Sequence, residues 1–416
     1  MKQYGETWAS IILLIAAGFT GTLGFRLSIP VIAFLGRDVL QLSAFLVSFF
    51  YSGYMVSRAL SSITLGYIVD RAPRVIYLVP LFTAVFALTI YCYVYADNWI
   101  IIVLLRMVQG FLGGCIWPLV QYLVAQISPQ NLKGRILSVY FALGSTGILL
   151  GNVVYATIVD YPLNHKLAIS TSFFLVAALF MLTAIYLTRQ RIAYYRRRER
   201  GSRISFEHPV LNVVFSGFLL ALCVAFAFGD IVYIYVSEVL SLTRSDTALL
   251  LAFCSGLSIC CSYIISWFAD KGYERETLAL TYILVAASIP LISIGSIYIL
   301  PLGLTLALIS IRVFHPLSRR YIALHCSMPA TGIGAVNMAT NLGISLGLIV
   351  FSKTYDYLKN IRTIFLGLKI NYAPYVLLIF AIPLIVLAIK LLTAKQLREQ
   401  EMFSEELIIF KRLRRN

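Results

Sequence analysis

The chain has 416 residues, 60% of them hydrophobic and only 12% charged, with a formal net charge of +16. A water-soluble domain needs about 25% charged residues to cover its surface, so a soluble globular protein is excluded and lipid must do most of the solvating. The charge would suit a nucleic-acid binder, but its distribution does not: 20 of the 34 Lys and Arg fall on one side of the predicted spans, 7 on the other and 7 within them.

Twelve apolar runs reach the ~20 residues that cross a hydrocarbon core as a helix. They lie near 10–35, 43–69, 75–95, 99–126, 134–159, 167–187, 210–236, 247–268, 277–298, 300–324, 333–352 and 371–392. The positive-inside bias places both termini on the cytoplasmic side of a cell membrane, with only the external segment 353–370 running against it. All seven Cys (Cys92, Cys115, Cys223, Cys254, Cys260, Cys261 and Cys326) fall in or beside these runs. They show no zinc spacing and no disulfide framework, and read as packing residues.

In the first half, 1–187, span 1 carries Arg26 four residues before Pro30, and span 2 carries Arg58. The turn after span 2 reads Gly66-Tyr67-Ile68-Val69-Asp70-Arg71-Ala72-Pro73-Arg74. Span 4 holds Arg106, Gly110 and Pro118, and a turn over Ser128–Arg135 starts span 5. Gly144, Gly147 and Gly151 in span 5 predict close approach of a neighbouring helix. Residues 188–209 form a basic linker with seven Arg against two Glu, a composition drawn to anionic headgroups at ~1 kcal/mol per charge.

The second half, 210–392, repeats the first at an offset of 200. Glu238 stands opposite Asp38, Asp270-Lys271 opposite Asp70-Arg71, and Pro329, Gly334, Gly347 and Tyr355 opposite Pro129, Gly134, Gly147 and Tyr155. Apolar composition alone does not align polar, Gly and Pro positions at one offset, so the pattern predicts a parallel duplication of a six-helix unit. The tail 393–416 reads as a cytoplasmic amphipathic helix with a basic end.

The run from Gly66 to Arg74 fits G-x-x-x-D-R-x-x-R and resembles the loop between helices 2 and 3 of the major facilitator superfamily. Arg106, with Gly at i+4 and Pro at i+12, is similar to that family's fourth-helix motif. The resemblance implies an all-α integral membrane fold of twelve helices in two pseudo-symmetric halves, working by alternating access. It also implies that helices 1, 2, 4, 5, 7, 8, 10 and 11 line a central cavity. Gly66, Asp70, Arg71, Arg74, Asp270 and Lys271 would then form the conformational gate, a carboxylate meeting the positive end of a helix start. The family's drug antiporters carry Gly-Pro in helix 5, where this chain has Gly151-Asn152.

A charge near the bilayer centre costs at least ~2.5–3.5 kcal/mol and normally faces a cavity or a partner. The spans hold Arg26, Arg58, Arg106, Arg312, Arg319, Arg320 and Lys390, but Asp230 is their one carboxylate. Arg312, His315 and Arg319 share a helix face at i, i+3 and i+7. This pattern predicts a basic midplane pocket of Arg26, Arg58, Arg106, Arg312 and His315 for a small organic or phosphorylated anion, since guanidinium forks match carboxylate and phosphate. Arg106 would serve equally as a gating residue, and Asp230 as a salt-bridge partner for one arginine. The coupling candidates are Asp230 and His315, with a proton or a counter-anion as the coupling species. Some anion–proton symporters carry an acid seven residues after the motif Arg, where this chain has Gly113. The alternatives are efflux of amphipathic drugs or metabolites and a non-transporting sensor. No nucleophile–base pair, metal cluster or phosphate loop is visible, so neither enzyme chemistry nor a cofactor is expected. The expected partners are a small-molecule substrate and the bilayer, with no nucleic acid, around a monomer.

Overall fold

The computed structural model describes residues 2–71, 73–129, 132–195, 208–325, 329–365 and 368–393. Most of the predicted basic linker and nearly all of the predicted amphipathic tail lie outside the described residues. The fold is almost entirely helical, as lipid requires, because a helix satisfies its backbone hydrogen bonds within itself. The helices are α1 (Lys2–Phe34), α2 (Ala44–Arg71), α3 (Val79–Tyr91), α4 (Trp99–Ile127), α5 (Lys133–Thr157) and α6 (Leu163–Tyr195). They continue with α7 (His208–Cys223), α8 (Ile231–Leu240), α9 (Arg244–Asp270), α10 (Glu274–Ser293), α11 (Ile299–His325) and α12 (Pro329–Leu358). A final apolar helix, α13, spans Ala373–Thr393.

Among the described residues, ten stretches are long and apolar enough to cross a membrane. Helix α2 has the length, 28 residues, but buried Ser48, Ser52, Ser61 and Ser62 and the charge of Arg58 dilute its apolar character. The outward surface is greasy: Leu81, Leu179, Phe253, Tyr263 and Ile379 all stand more than half exposed. Such side chains would be a liability in water and are ordinary against lipid tails.

One predicted span is broken. The run 210–236, expected as one helix, is α7 and α8 separated by a tight turn at Ala225–Ala227. Gly229 sits there with φ +66°, and any side chain on it would run into the Tyr51 ring. Glycine meets that left-handed conformation without a Cβ penalty, and it lets α2 press against the break. A second departure is a hairpin in the segment 353–370 and just beyond it. Strand β1 (Arg362–Phe365) pairs antiparallel with β2 (Leu368–Asn371), Arg362 opposite Asn371. Gly295, after α10, donates its N–H to Lys369 at 2.8 Å and ties the hairpin down.

Helix α1 packs on α5 and α6, and α12 packs on α7. The predicted glycine approach is present: a Cβ on Gly147 or Gly151 would lie 2.7 Å from the α1 carbonyls of Phe19 or Leu23. Helices α1–α6 meet α7–α13 along two seams, α2 on α12 and α5 on α9. Between these seams α1 and α2 also meet α8, and α9 packs on α11.

Candidate functional site

Helix position explains why charged side chains tolerate this interior. Four arginines lie against aromatic faces: Arg26 over Tyr233 (5.3 Å), Arg58 over Tyr54 (5.9 Å), Arg319 over Phe141 (5.2 Å), and Arg106 over both Phe25 and Tyr93 (5.8 Å each). The ring quadrupole offsets part of the lost hydration of each cation. Arg26 and Arg312 share a further local feature. Each stands one helical turn before a proline, Pro30 in α1 and Pro316 in α11. Proline has no N–H to give the carbonyl four residues back, so the backbone carbonyls of both arginines lack their usual helical partner.

The single intramembrane carboxylate is taken. Asp230, at the head of α8, meets the Arg106 guanidinium of α4 at 2.9 Å, and both side chains are wholly enclosed. Arg106 Nε, one terminal nitrogen of Arg106 and Asp230 Oδ2 have no hydrogen-bond partner among the described residues. Of the expected alternatives for Asp230, the structure forms the ion pair, and it singles out Arg106 as the partner.

Arg26, Arg58, Arg312 and Arg319 have no carboxylate within 4 Å among the described residues. Arg26 donates through Nε to Asn152 Oδ1 at 3.2 Å, and Tyr233 of α8 donates to the same oxygen at 2.5 Å. Arg312 grips Ser255 of α9 twice, donating to its carbonyl and to its Oγ at 2.8 Å each. Arg319 reaches Asn337 only weakly, at 3.4 Å, while its Nε and the Nδ1 of His315 are buried without a partner. Arg320 points away from the interior and bridges Asp270 and Glu274 at 3.1 and 3.0 Å. Asn152, Tyr233 and Ser255 were not legible as functional positions. Asn152 stands where the drug antiporters have proline, which was the sole hint.

The predicted gate behaves unequally. Gly66, Asp70 and Arg71 lie in the last turns of α2, and their side chains are outside the described residues. Arg74 is exposed. Asp270 is engaged by Arg320 of α11, and Lys271 lies 3.6 Å from the ring centre of Trp267. Among the described residues, neither is paired with a residue of the other half. The halves are clasped instead at the opposite end of the bundle, where α1 gives way to α2. Arg37 meets Glu238 at 2.6 Å and Arg244 meets Asp38 at 2.6 Å, while Tyr355, in the same half as Glu238, donates to it at 2.8 Å. Asp356 of α12 accepts from the N–H groups of Ala44 (3.2 Å) and Phe45 (2.7 Å) at the start of α2. A carboxylate on a helix start, the device expected of Asp70 and Asp270, is present at Asp356. Its signal was half visible, since Asp38 and Glu238 had already been matched at the repeat offset.

A partly exposed ion pair is worth about 0.2–1 kcal/mol. Replacing Arg37 and Arg244 together by Gln is therefore expected to speed hydrogen–deuterium exchange several-fold for the amides of residues 40–47. Unchanged exchange there would mean that these pairs do not hold the end shut.

The comparisons agree on what such an arrangement belongs to. A family model described as Major Facilitator Superfamily matches residues 14–348. No curated protein matches the chain by sequence. Among solved structures, the nucleoside transporter NupG superposes with a TM-score of 0.68 at 13% identity, over 92% of this chain and 98% of that one. A D-xylose-proton symporter gives 0.67 at 11% identity, over 92% and 97%. The human organic anion transporter MFSD10 (TETRAN) gives 0.66 at 16%, over 93% and 99%. At these identities the likeness is one of fold.

Proposed function

The chain belongs to the major facilitator superfamily and is a membrane transporter of that family; from that premise we propose that it carries a small organic or phosphorylated anion. One observation carries the reading. Arg26, Arg58, Arg312 and Arg319 stand inside the bundle with no carboxylate beside them, and the one intramembrane acid is committed to Arg106. Uncompensated cations at that depth are costly, and an anionic substrate is the group that would relieve them. Drug efflux would instead ask the arginines to be neutralised by protein acids, and Asp230 can serve only one.

The same reading assigns a state. With both termini cytoplasmic, the clasped end of Arg37, Asp38, Glu238, Arg244 and Asp356 is the external one. The protein is then closed outside, and the gate residues near Asp70 and Asp270 engage in the opposite, outward-open state. Asp230, held by Arg106, acts in moving α8 rather than in contacting substrate, and exchange of one anion for another needs no further acid.

Purified protein should be stabilised by one class of anion among organic acids, sugar phosphates and nucleotides, and not by lipophilic cations. A ligand at 100 times its Kd adds about 2.7 kcal/mol. A lost charge-assisted hydrogen bond costs about 1.5–3 kcal/mol. Arg26→Ala and Arg312→Ala are accordingly expected to cut uptake of that anion into liposomes tenfold or more. Stabilisation by lipophilic cations alone, unchanged in both variants, would reverse the assignment in favour of efflux.

A further inference from the structure

Arg26 is held in place by residues of both halves, and on the reading of an anion-binding Arg26 that arrangement has a consequence for transport. Gly151 makes the first contact possible. A Cβ there would lie 2.8 Å from the Arg26 Cβ, so α5 brings Asn152 beside Arg26 only because position 151 has no side chain. Arg26 Nε donates to Asn152 Oδ1 at 3.2 Å. A guanidinium N–H can only donate, which fixes the amide: its oxygen faces Arg26, and its Nδ2 is buried without a partner. Arg26 itself is half-buried, and no hydrogen bond takes its terminal nitrogens among the described residues. The guanidinium is anchored at Nε and open at its fork.

Tyr233 of α8 adds the second half to this node. Its hydroxyl donates to the same Asn152 oxygen at 2.5 Å, and Arg26 lies over its ring at 5.3 Å. Asn152 and Tyr233 are both wholly buried. One oxygen thus receives a donor from each half, and neither contact uses the fork. A cation already oriented before its ligand arrives binds more tightly, because less freedom is lost on binding.

The Tyr233 ring also leads to the clasp. It meets Phe34 of α1 edge to face at 6.5 Å. Arg244 of α9 lies over Phe34 at 5.3 Å, and Arg244 meets Asp38 at 2.6 Å. In that order, Arg26, Tyr233, Phe34, Arg244 and Asp38 alternate between the halves at every step. Contacts of this kind must break as the halves part at the clasped end. Asn152 belongs to the same half as Arg26 and stays with it; Tyr233 does not.

We infer that Asn152 and Tyr233 are positioning residues for Arg26, and that Tyr233 makes the full hold on the anion depend on a shut clasp. Asn152 orients the guanidinium throughout the cycle. Tyr233 completes the site only when α8 is packed against α1 and α5. Coupling of this kind is reciprocal, so the bound anion must in turn favour the clasped state.

The test uses the purified full chain in detergent, with citrate, glucose 6-phosphate and adenosine monophosphate as probes, one from each class of anion. Calorimetry reads binding, and hydrogen–deuterium exchange of residues 40–47 reads the clasp. In the wild-type protein, the probe that binds is expected to slow that exchange about fivefold or more. Tyr233→Leu should weaken binding about tenfold and abolish the slowing. Tyr233→Phe, which keeps the ring, should lose only about threefold and retain part of the slowing. Asn152→Asp, of the same shape, sets a carboxylate on Arg26 and should remove binding without lowering the thermal midpoint. A purely structural Asn152 would not separate those two readouts. Binding that is lost in Arg26→Ala but leaves clasp exchange unchanged in the wild type would overturn the inference while leaving the anion pocket. Wild-type affinity in Tyr233→Leu would do the same. Failure of every probe to bind, or binding unchanged in Arg26→Ala, would remove the pocket and the inference with it.

Discussion

Asp230→Ala is expected to destabilise the protein by about 3–5 kcal/mol, the cost of breaking a buried ion pair from one side. The Arg106 guanidinium has no other acid within 4 Å among the described residues, both side chains are wholly enclosed, and the contact is 2.9 Å. Without the carboxylate, a full positive charge would remain among Phe25, Tyr93 and helix backbone. Arg106→Ala should cost a similar amount, leaving Asp230 unpaired. The informative protein is the double variant Arg106→Met/Asp230→Leu, which removes both charges and keeps most of the volume. Replacing a buried pair by apolar groups is often neutral, so its thermal midpoint in detergent should return most of the way to wild type. A double variant as unstable as either single one would show that shape, not charge balance, holds α4 against α8.

Gly347→Leu is expected to be nearly as damaging, through packing alone. A Cβ at Gly347 would lie on the Leu222 carbonyl and 2.6 Å from the Ala225 Cβ, where α12 crosses the end of α7. The obstacle is largely backbone, so no rotamer change can make room and the helices must part. Overpacking typically costs about 1–3 kcal/mol, and this site stands at the upper end. Gly144→Leu is the control, because a Cβ there meets only Thr22 Oγ1, at 3.9 Å, and a substitution with room to spare shifts stability by about 0.5 kcal/mol or less. Equal melting temperatures for the two variants would mean that α12 and α7 are not in contact at Gly347.

Both results bear on what the sequence could reveal. The helices were legible because lipid imposes a simple length and hydropathy rule. The repeat was legible because Asp38 and Glu238, Gly147 and Gly347, and Tyr155 and Tyr355 keep their chemistry 200 residues apart. The glycine seam at Gly147 and Gly151 followed from spacing alone. The break between α7 and α8 did not, because Cys223–Val236 is apolar on both sides of Gly229-Asp230 and the close approach of Tyr51 to Gly229 comes from another helix. The arginines were visible as an excess, but their partition was not. That Arg106 rather than Arg26 holds Asp230, 124 residues away, depends on which helix faces which. The clasp was hidden for the same reason: Asp356 meets Ala44 and Phe45 only once α12 lies beside α2.

That clasp has a lopsided construction with a mechanical consequence. Contacts at the closed end cross over between repeats, so Asp356 meets the start of α2 while Ala156, its counterpart, meets the start of α9. An association of two identical subunits would make these contacts equivalent, each patch touching its mirror. Here they have diverged. One side has an ionised carboxylate on two amide groups. The other, beside the Arg244–Asp38 pair that answers Arg37–Glu238, has a neutral hydroxyl, Ser245, donating to the Ala156 carbonyl at 3.2 Å. Charge-assisted bonds are roughly twice as strong as neutral ones, so the two sides should not let go together. The protein is expected to open like a door, hung along α2 and α12 and swinging free first along α5 and α9. Amides near Ser245 would then exchange with solvent sooner than those at Ala44 and Phe45.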